Sequence, residues 1–352
     1  MSRKAKRIVF LYTELAGYIK TCFDRLADEG VEVHVFHYPV NPEAPFEFDL
    51  QTSRCKYHLR ADFSNVDLKE EIERINPQAI VCSGWIDKGY VAICKSLKKN
   101  FTTILALDNQ LHPGFKANLA LLRAKLFFKS AFKYSWVPGT PQSRYALKLG
   151  FLENEIYEGF YTVDVKHWNN LNWNTQEGTF PHRFVYVGRY VEFKGIKELW
   201  EAFKRLDAKD WELYCAGSGE LYEDRALSEG IYHQGFVQPA DLDKFVAEGG
   251  VFILPSHKEP WGVVLHEFAA AGYPLISSKS VGAASAFLKN GENGFLVNPK
   301  EVLDLQEAMQ SMVDSADGQL FKMGRKSKEI ADKVNIEMWL ETALNFLETK
   351  NE

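Results

Sequence analysis

Two glutamates eight positions apart, Glu259 and Glu267, lie in the run Leu254-Pro-Ser-His-Lys-Glu-Pro-Trp-Gly-Val-Val-Leu-His-Glu267. A short apolar strand over 251–254 stops at Pro255, a polar loop follows, and a helix is expected to start near Trp261-Gly262. That spacing is about two helical turns, so the second acid can stand on the helix while the first stays in the loop. The amides of Gly262, Val263 and Val264 then point out of the helix N-terminus, where an anion binds well. An anion site flanked by two carboxylates suits a nucleotide diphosphate bearing a sugar, with amides for the phosphates and acids for hydroxyl groups. An ordinary strand–loop–helix with surface acids accounts for the same spacing, and spacing alone leaves both open.

Other strand-to-loop junctions carry matching chemistry. Gly188-Arg-Tyr-Val-Glu-Phe-Lys-Gly195 follows an apolar strand at 184–187. Arg189 and Lys194 there can hold a diphosphate, the guanidinium in bidentate fashion and the ammonium as a point charge; two surface cations on a solvated turn are the plainer account. Ala216-Gly-Ser-Gly-Glu220 follows the next strand, and Gly217 permits close backbone approach to a phosphate or sugar, or simply a tight turn. His257 and His266 flank the glutamates without a recognised ligand spacing, so no metal site is expected. In the first half, Asp108, Asn109 and His112 cluster beyond a strand at 103–107, and Trp85 occupies the same edge one strand earlier. Those four are candidates for catalysis and acceptor contact, or else members of an Asx-type turn closing the strand.

The segment 111–150 carries seven cations, Lys116, Arg123, Lys125, Lys129, Lys133, Arg144 and Lys148, and no acid. With its leucines and phenylalanines it reads as a helix buried in the core with a basic outer face, or as a peripheral contact with anionic lipid through 116–148. The net charge of −5 argues against a nucleic-acid partner. Five scattered cysteines, Cys22, Cys55, Cys82, Cys94 and Cys215, read as reduced thiols of a cytoplasmic protein. No uncharged apolar run approaches the ~20 residues that span a bilayer.

These groups need elements to position them. Apolar β-rich runs alternate with amphipathic runs through most of the 352 residues. Continuous apolar strands flanked by helices imply parallel sheet covered on both faces, and the length implies two domains. The rhythm breaks between about Gly159 and His182, where Trp168-Asn-Asn-Leu-Asn-Trp-Asn174 shows no period. The expected division is an N-terminal domain over 1–160 and a C-terminal domain over 161–335, with a final helix within 336–352 packing back on the first. Helices are expected at 221–229 and 337–347. Ligands of such sheets sit at the carboxyl ends of the strands, which points to a cleft between two α/β domains.

In order along the chain, Gly188-Arg189…Lys194-Gly195, Ala216-Gly-Ser-Gly-Glu220, Gly235-Phe-Val, Glu259-Pro-Trp-Gly-Val-Val-Leu-His-Glu267-Phe-Ala-Ala-Ala-Gly-Tyr-Pro274 and Asn290-Gly-Glu-Asn-Gly-Phe-Leu-Val297 resemble the nucleotide-sugar domain of family-4 glycosyltransferases of GT-B fold. The resemblance implies two doubly wound, Rossmann-like domains facing a central cleft. It implies retaining, metal-independent transfer from a nucleotide-diphosphate sugar, with no further cofactor, to a glycan or lipid-linked acceptor, as in cell-surface polysaccharide synthesis. Arg189 and Lys194 would bind the diphosphate, Glu259 the donor sugar and Glu267 the ribose. The amides at 262–264 would meet the phosphates, with Gly188 and Gly217 beside them. The first half departs from the pattern: the usual Gly-Gly loop is Glu14-Leu-Ala-Gly17, with Gly17 as its single glycine, and Asp108 stands in place of the family histidine. A GT-B epimerase, a sugar phosphorylase and a non-catalytic sugar-nucleotide binding subunit are the alternatives on related scaffolds.

Overall fold

The computed structural model describes residues 6–41, 45–51, 53–110, 117–171, 173, 178–207 and 210–349. The chain forms two compact units, Met1–Val163 with Asn335–Glu352, and Asp164–Val334.

The first unit alternates strand and helix: β1 (Arg7–Tyr12), α1 (Gly17–Asp28), β2 (Glu32–His37), β3 (Lys56–Leu59), α2 (Asn65–Ile75), β4 (Ala79–Ser83), α3 (Lys88–Leu97), β5 (Thr102–Ala106), α4 (Ala117–Ala131), β6 (Tyr134–Trp136), α5 (Thr140–Lys148) and β7 (Ile156–Tyr157). The seven strands lie in the order β3-β2-β1-β4-β5-β6-β7, and every pairing is parallel. Central β1 shows why. Its Ile8, Val9, Phe10 and Leu11 are fully buried, with Phe10 opposite Val35 of β2 and Val81 of β4, so both faces need a helical cover. Alternate residues serve opposite cores: Ile8 and Phe10 join one cluster, Val9 and Leu11 the other.

The second unit contains α6 (Val165–Asn169), β8 (Arg183–Val187), α7 (Ile196–Lys204), β9 (Glu212–Ala216), β10 (Ile231–Gly235), α8 (Pro239–Ala247), β11 (Val251–Leu254), α9 (Val263–Ala270), β12 (Leu275–Ser278), α10 (Ala284–Phe287), β13 (Gly294–Val297), α11 (Val302–Val313) and α12 (Asp317–Ala331). Its six parallel strands run β10-β9-β8-β11-β12-β13. The last helix, α13 (Ile336–Glu348), belongs to the first unit: Trp339 packs 4.9 Å from the Trp136 ring, and Phe346 lies 5.4 Å from the same indole.

Two local readings of the sequence change. The helix expected over 221–229 is a series of turns. Leu221 donates its amide to the Tyr190 carbonyl at 2.9 Å, and Tyr222 donates to Gly219, so the chain is anchored to the neighbouring loop before a helical stripe can form. Leu227, which such a stripe would bury, is 84% exposed. The edge strand β3 had no apolar signature; its four residues KYHL are half-buried or exposed, as a sheet edge permits.

Candidate active site

In the second unit the loops leaving β8, β9, β11 and β12 are joined by main-chain hydrogen bonds into one rim at the carboxyl ends of the strands. Gly188 donates to Ala216 O at 3.0 Å and Tyr190 to Ser218 O at 2.8 Å. His257 donates to Phe193 O at 2.8 Å, Gly282 to Glu259 O at 3.2 Å and Ala283 to Trp261 O at 2.9 Å. The β8 and β9 loops meet so closely that a Cβ on Gly217 would stand 1.9 Å from the Gly188 carbonyl oxygen, and Gly217 has φ +143. Only glycine fits there.

Within that rim Lys194 and Glu259 are brought together across 65 positions of sequence: the ammonium donates to Oε2 of the carboxylate, and both side chains are largely buried. Ser256 Oγ donates to the same oxygen at 3.4 Å. Arg189 arrives from the β8 loop with its guanidinium 5.5 Å from the centre of the exposed Phe193 ring. Its backbone carbonyl accepts from the buried Tyr186 hydroxyl at 2.8 Å, which sets where the loop turns.

Helix α9 starts at Val263, next to this pair. Gly262 is its N-cap in the left-handed region (φ 88), with no side-chain cap and no acid in the first turn. Its first amides are therefore left to whatever binds in front of them. Any Cβ on Gly262 would press on Glu259 Cγ at 3.0 Å and Leu254 Cδ2 at 3.1 Å, so the glycine lets the helix start lie against the catalytic candidate.

Glu267 sits further along α9 in a different environment. Burial pushes its carboxyl up to about 7; the nearby His167 imidazole works against that rise and Asp243 adds to it. His167 and Asp243 are bonded to each other at 2.9 Å, and neither hydrogen-bonds the Glu267 carboxyl among the described residues. The two glutamates are thus separated in chemistry: Glu259 has an ammonium partner, and Glu267 is a poorly solvated acid that a pair of hydroxyl donors would satisfy.

The flanking histidines are structural. His266 is fully buried, donates Nε2–H to Ala331 O at 3.2 Å and stacks on Phe287 at 3.9 Å; burial pulls its pKa down to about 4. His257 lies against Glu198 of α7 at 2.9 Å. Among the described residues no group of three His, Cys, Asp or Glu side chains could hold a metal ion.

In the first unit, Asp108 lies just beyond β5 and accepts from Tyr161 Oη at 3.1 Å and from Asn109 Nδ2 at 3.4 Å. Its backbone carbonyl accepts from the buried Gln142 at 3.0 Å. Tyr161 is braced edge-on by Tyr18 at 5.4 Å. Sequence reading missed Tyr161, Tyr18 and Gln142, because Tyr161 stands 53 positions from the acid it serves and belongs to no motif. Asn109 is exposed. Gly17 opens α1, and a Cβ there would meet nothing within 4 Å. Trp85 packs on Phe128 at 5.0 Å and Tyr145 at 6.4 Å. His112 and Lys116 lie outside the described residues.

Two parallel α/β units, the second with its strand-end loops stitched into one rim, have the GT-B class of fold. The family profile described as Glycosyl transferases group 1 matches residues 172–332. An uncharacterised glycosyltransferase of Methanocaldococcus jannaschii, MJ1607, is 37% identical over 124 residues, 33% of this chain and 32% of the relative. A longer match joins 82% of this chain to 78% of the Campylobacter jejuni N,N'-diacetylbacillosaminyl-diphospho-undecaprenol alpha-1,3-N-acetylgalactosaminyltransferase at 22% identity. Among solved structures, Anabaena Alr3699/HepE in complex with UDP and glucose superposes with a TM-score of 0.73 at 14% identity, covering 97% of this chain and 99% of that one. The chain spans about a third of the length of MJ1607 and of a Mycobacterium tuberculosis glycogen synthase, two of the curated relatives it matches.

Proposed function

We propose that this protein is a retaining, metal-independent glycosyltransferase that moves a hexose from a nucleotide-diphosphate sugar to a glycan or lipid-linked acceptor in cell-surface polysaccharide synthesis. The observation that carries the reading is the buried Lys194–Glu259 pair beside the uncapped start of α9. A donor diphosphate placed against the α9 amides puts its leaving oxygen within the field of Lys194 and Arg189. Those cations stabilise the charge that develops as the bond from the sugar's C1 to phosphate breaks. Glu259, released from part of its hold on the ammonium, accepts from donor-sugar hydroxyls, and Glu267 accepts from the ribose. The acceptor oxygen attacks C1 on the face the leaving group departs from, and its proton passes to the departing phosphate oxygen. Within the first unit by itself, Asp108, held by Tyr161, is the group assigned to the acceptor.

The Anabaena structure's UDP and glucose and the Campylobacter enzyme's lipid-diphosphate acceptor, as their names state, support this assignment of substrate classes. A peripheral membrane contact fits the same reading: Leu126 and Phe127 of α4 are 75% and 46% exposed beside Lys125. Co-sedimentation with phosphatidylglycerol but not phosphatidylcholine vesicles checks that contact. Five free, buried cysteines accord with a cytoplasmic placement, which cell fractionation tests.

The function itself is tested by thermal-shift titration with a panel of nucleoside diphosphates, followed by labelled-donor assays. One nucleotide is expected to raise Tm in a concentration-dependent way, and its sugar derivative is expected to label a glycan. No shift with any diphosphate defeats the reading; an epimerised donor or free sugar phosphate as the sole product replaces transfer with another chemistry.

A further inference from the structure

An open pocket lies in the first unit between the segments that leave β1 and β2. Its walls include the Tyr38 and Phe48 rings and the Leu15 side chain, and its polar groups are Glu14, Asn41 and His37. Asp108 does not line it.

Four of these groups are held in place. The Tyr38 hydroxyl donates to Asp87 Oδ2 at 3.1 Å, and Arg60 Nε holds the same oxygen at 3.0 Å, so the ring is pinned from behind. His37 Nδ1 bonds the Tyr38 carbonyl at 2.8 Å. Asn41 Nδ2 donates to Glu14 Oε1 at 3.2 Å, which presents the two planar polar groups together. The chemistry is aromatic and aliphatic wall plus a carboxylate and an amide, with no lysine or arginine among the described lining residues. Among its described residues, the stretch from Tyr38 to Leu50 adds Glu47 and Asp49 and no cation.

A pyranose matches that pattern. Its carbon-bound hydrogens cover an aromatic face, and its hydroxyls donate to a carboxylate and exchange bonds with an amide. A phosphate or a uronic acid does not match, because bringing an anion beside Glu14 without a cation is opposed. We propose that this cavity is a subsite for an uncharged sugar of the acceptor glycan, so that the sugar lodged here is neither a uronate nor a phosphorylated residue. This rests on the transferase reading above.

The test titrates the full chain by saturation-transfer NMR with methyl glycosides of glucose, galactose, mannose, N-acetylglucosamine and N-acetylgalactosamine. Methyl glucuronide, galacturonide and glucosaminide are run alongside, and nucleoside diphosphates are followed by thermal shift in the same samples. At least one neutral glycoside is expected to bind, with its uronate about tenfold weaker or more. Phe48→Leu should weaken the neutral glycoside by about fivefold or more, with the nucleotide shift unchanged. Glu14→Gln should narrow the gap between neutral sugar and uronate, which a merely structural role for Glu14 would not do. Equal binding of uronates by the unaltered chain, tighter binding of the cationic glucosaminide, no binding by any neutral glycoside, or indifference to both substitutions overturns the proposal. A nucleotide shift without such sugar binding sinks the cavity and spares the transferase reading. Sugar binding that depends on Phe48 and Glu14, with no shift from any diphosphate, does the reverse.

Discussion

At the scale of single residues, the site depends on how Lys194, Glu259 and Glu267 are partnered. Removing Lys194 takes away the charge proposed to face the leaving group and strands a largely buried carboxylate. Lys194→Ala is therefore expected to lower turnover by about 10²-fold or more and to reduce stability by about 1–3 kcal/mol. Single-turnover rates and urea melts measure the two effects, and near-normal turnover would remove the lysine from the mechanism. Glu267 makes a prediction of opposite sign for stability. Its folded-state value of about 7 lies above the ordinary 4.5, so the folded chain binds the extra proton between those two limits. Its contribution to stability is present in acid and is lost as pH rises through about 7. Glu267→Gln is expected to be the more stable protein at pH 8, by about 1–3 kcal/mol, with the difference vanishing below about pH 4.5. The same substitution should weaken nucleotide binding, because the ribose then loses a carboxylate acceptor. A pH-independent stability difference would show that Glu267 is not held as a poorly solvated acid.

At the scale of elements, the loops matter more than the strands that carry them. The β8 and β9 loops can touch only because Gly217 lacks a side chain. Gly217→Ala would force a Cβ onto the Gly188 carbonyl at 1.9 Å in a backbone region that alanine avoids. It is expected to cost about 3 kcal/mol or more and to abolish the nucleotide-induced thermal shift. Gly17→Ala is the contrasting case. Its Cβ meets nothing within 4 Å at the start of α1, so stability should change by less than about 1 kcal/mol. If Gly17 is where the donor or acceptor approaches, catalysis falls while the urea midpoint stays; unchanged catalysis would take Gly17 out of the site.

At the scale of the whole molecule, each unit closes its own core, and the first does so with the end of the chain. The α13 residues Trp339, Leu340, Ala343 and Phe346 are buried in the same cluster as Ile8, Phe10, Phe23 and Trp136. Arg25 of α1 bonds Glu337 through both Nε and Nη2 at 3.1 Å, tying that helix at its start as well. Trp339→Ala is expected to destabilise the first unit by about 3–5 kcal/mol, read by urea denaturation. A loss below about 1 kcal/mol would mean that α13 is not part of the first unit's core. Among the described residues no helix is long and apolar enough to cross a membrane.

The alternation of apolar and amphipathic runs was enough to read two α/β sheets, because parallel strands buried on both faces leave a local signature. The order of the motifs around Arg189, Gly217, Glu259 and Glu267 was enough to read the resemblance that the profile match over 172–332 repeats. Both signals lie in contiguous stretches, where neighbouring residues share one backbone. Partnership is different, because it depends on where distant segments meet. That Lys194 pairs with Glu259, that Tyr161 holds Asp108, that His266 stacks on Phe287 and that Trp85 packs under α4 are outcomes of tertiary folding. So is the loss of the expected helix after Gly219, where bonds to Tyr190 outweighed local helical preference. Residue types and spacing determined what chemistry the chain could hold. Only the packing of one loop against another decided which carboxylate is paired, which is left poorly solvated, and which histidine is mere core.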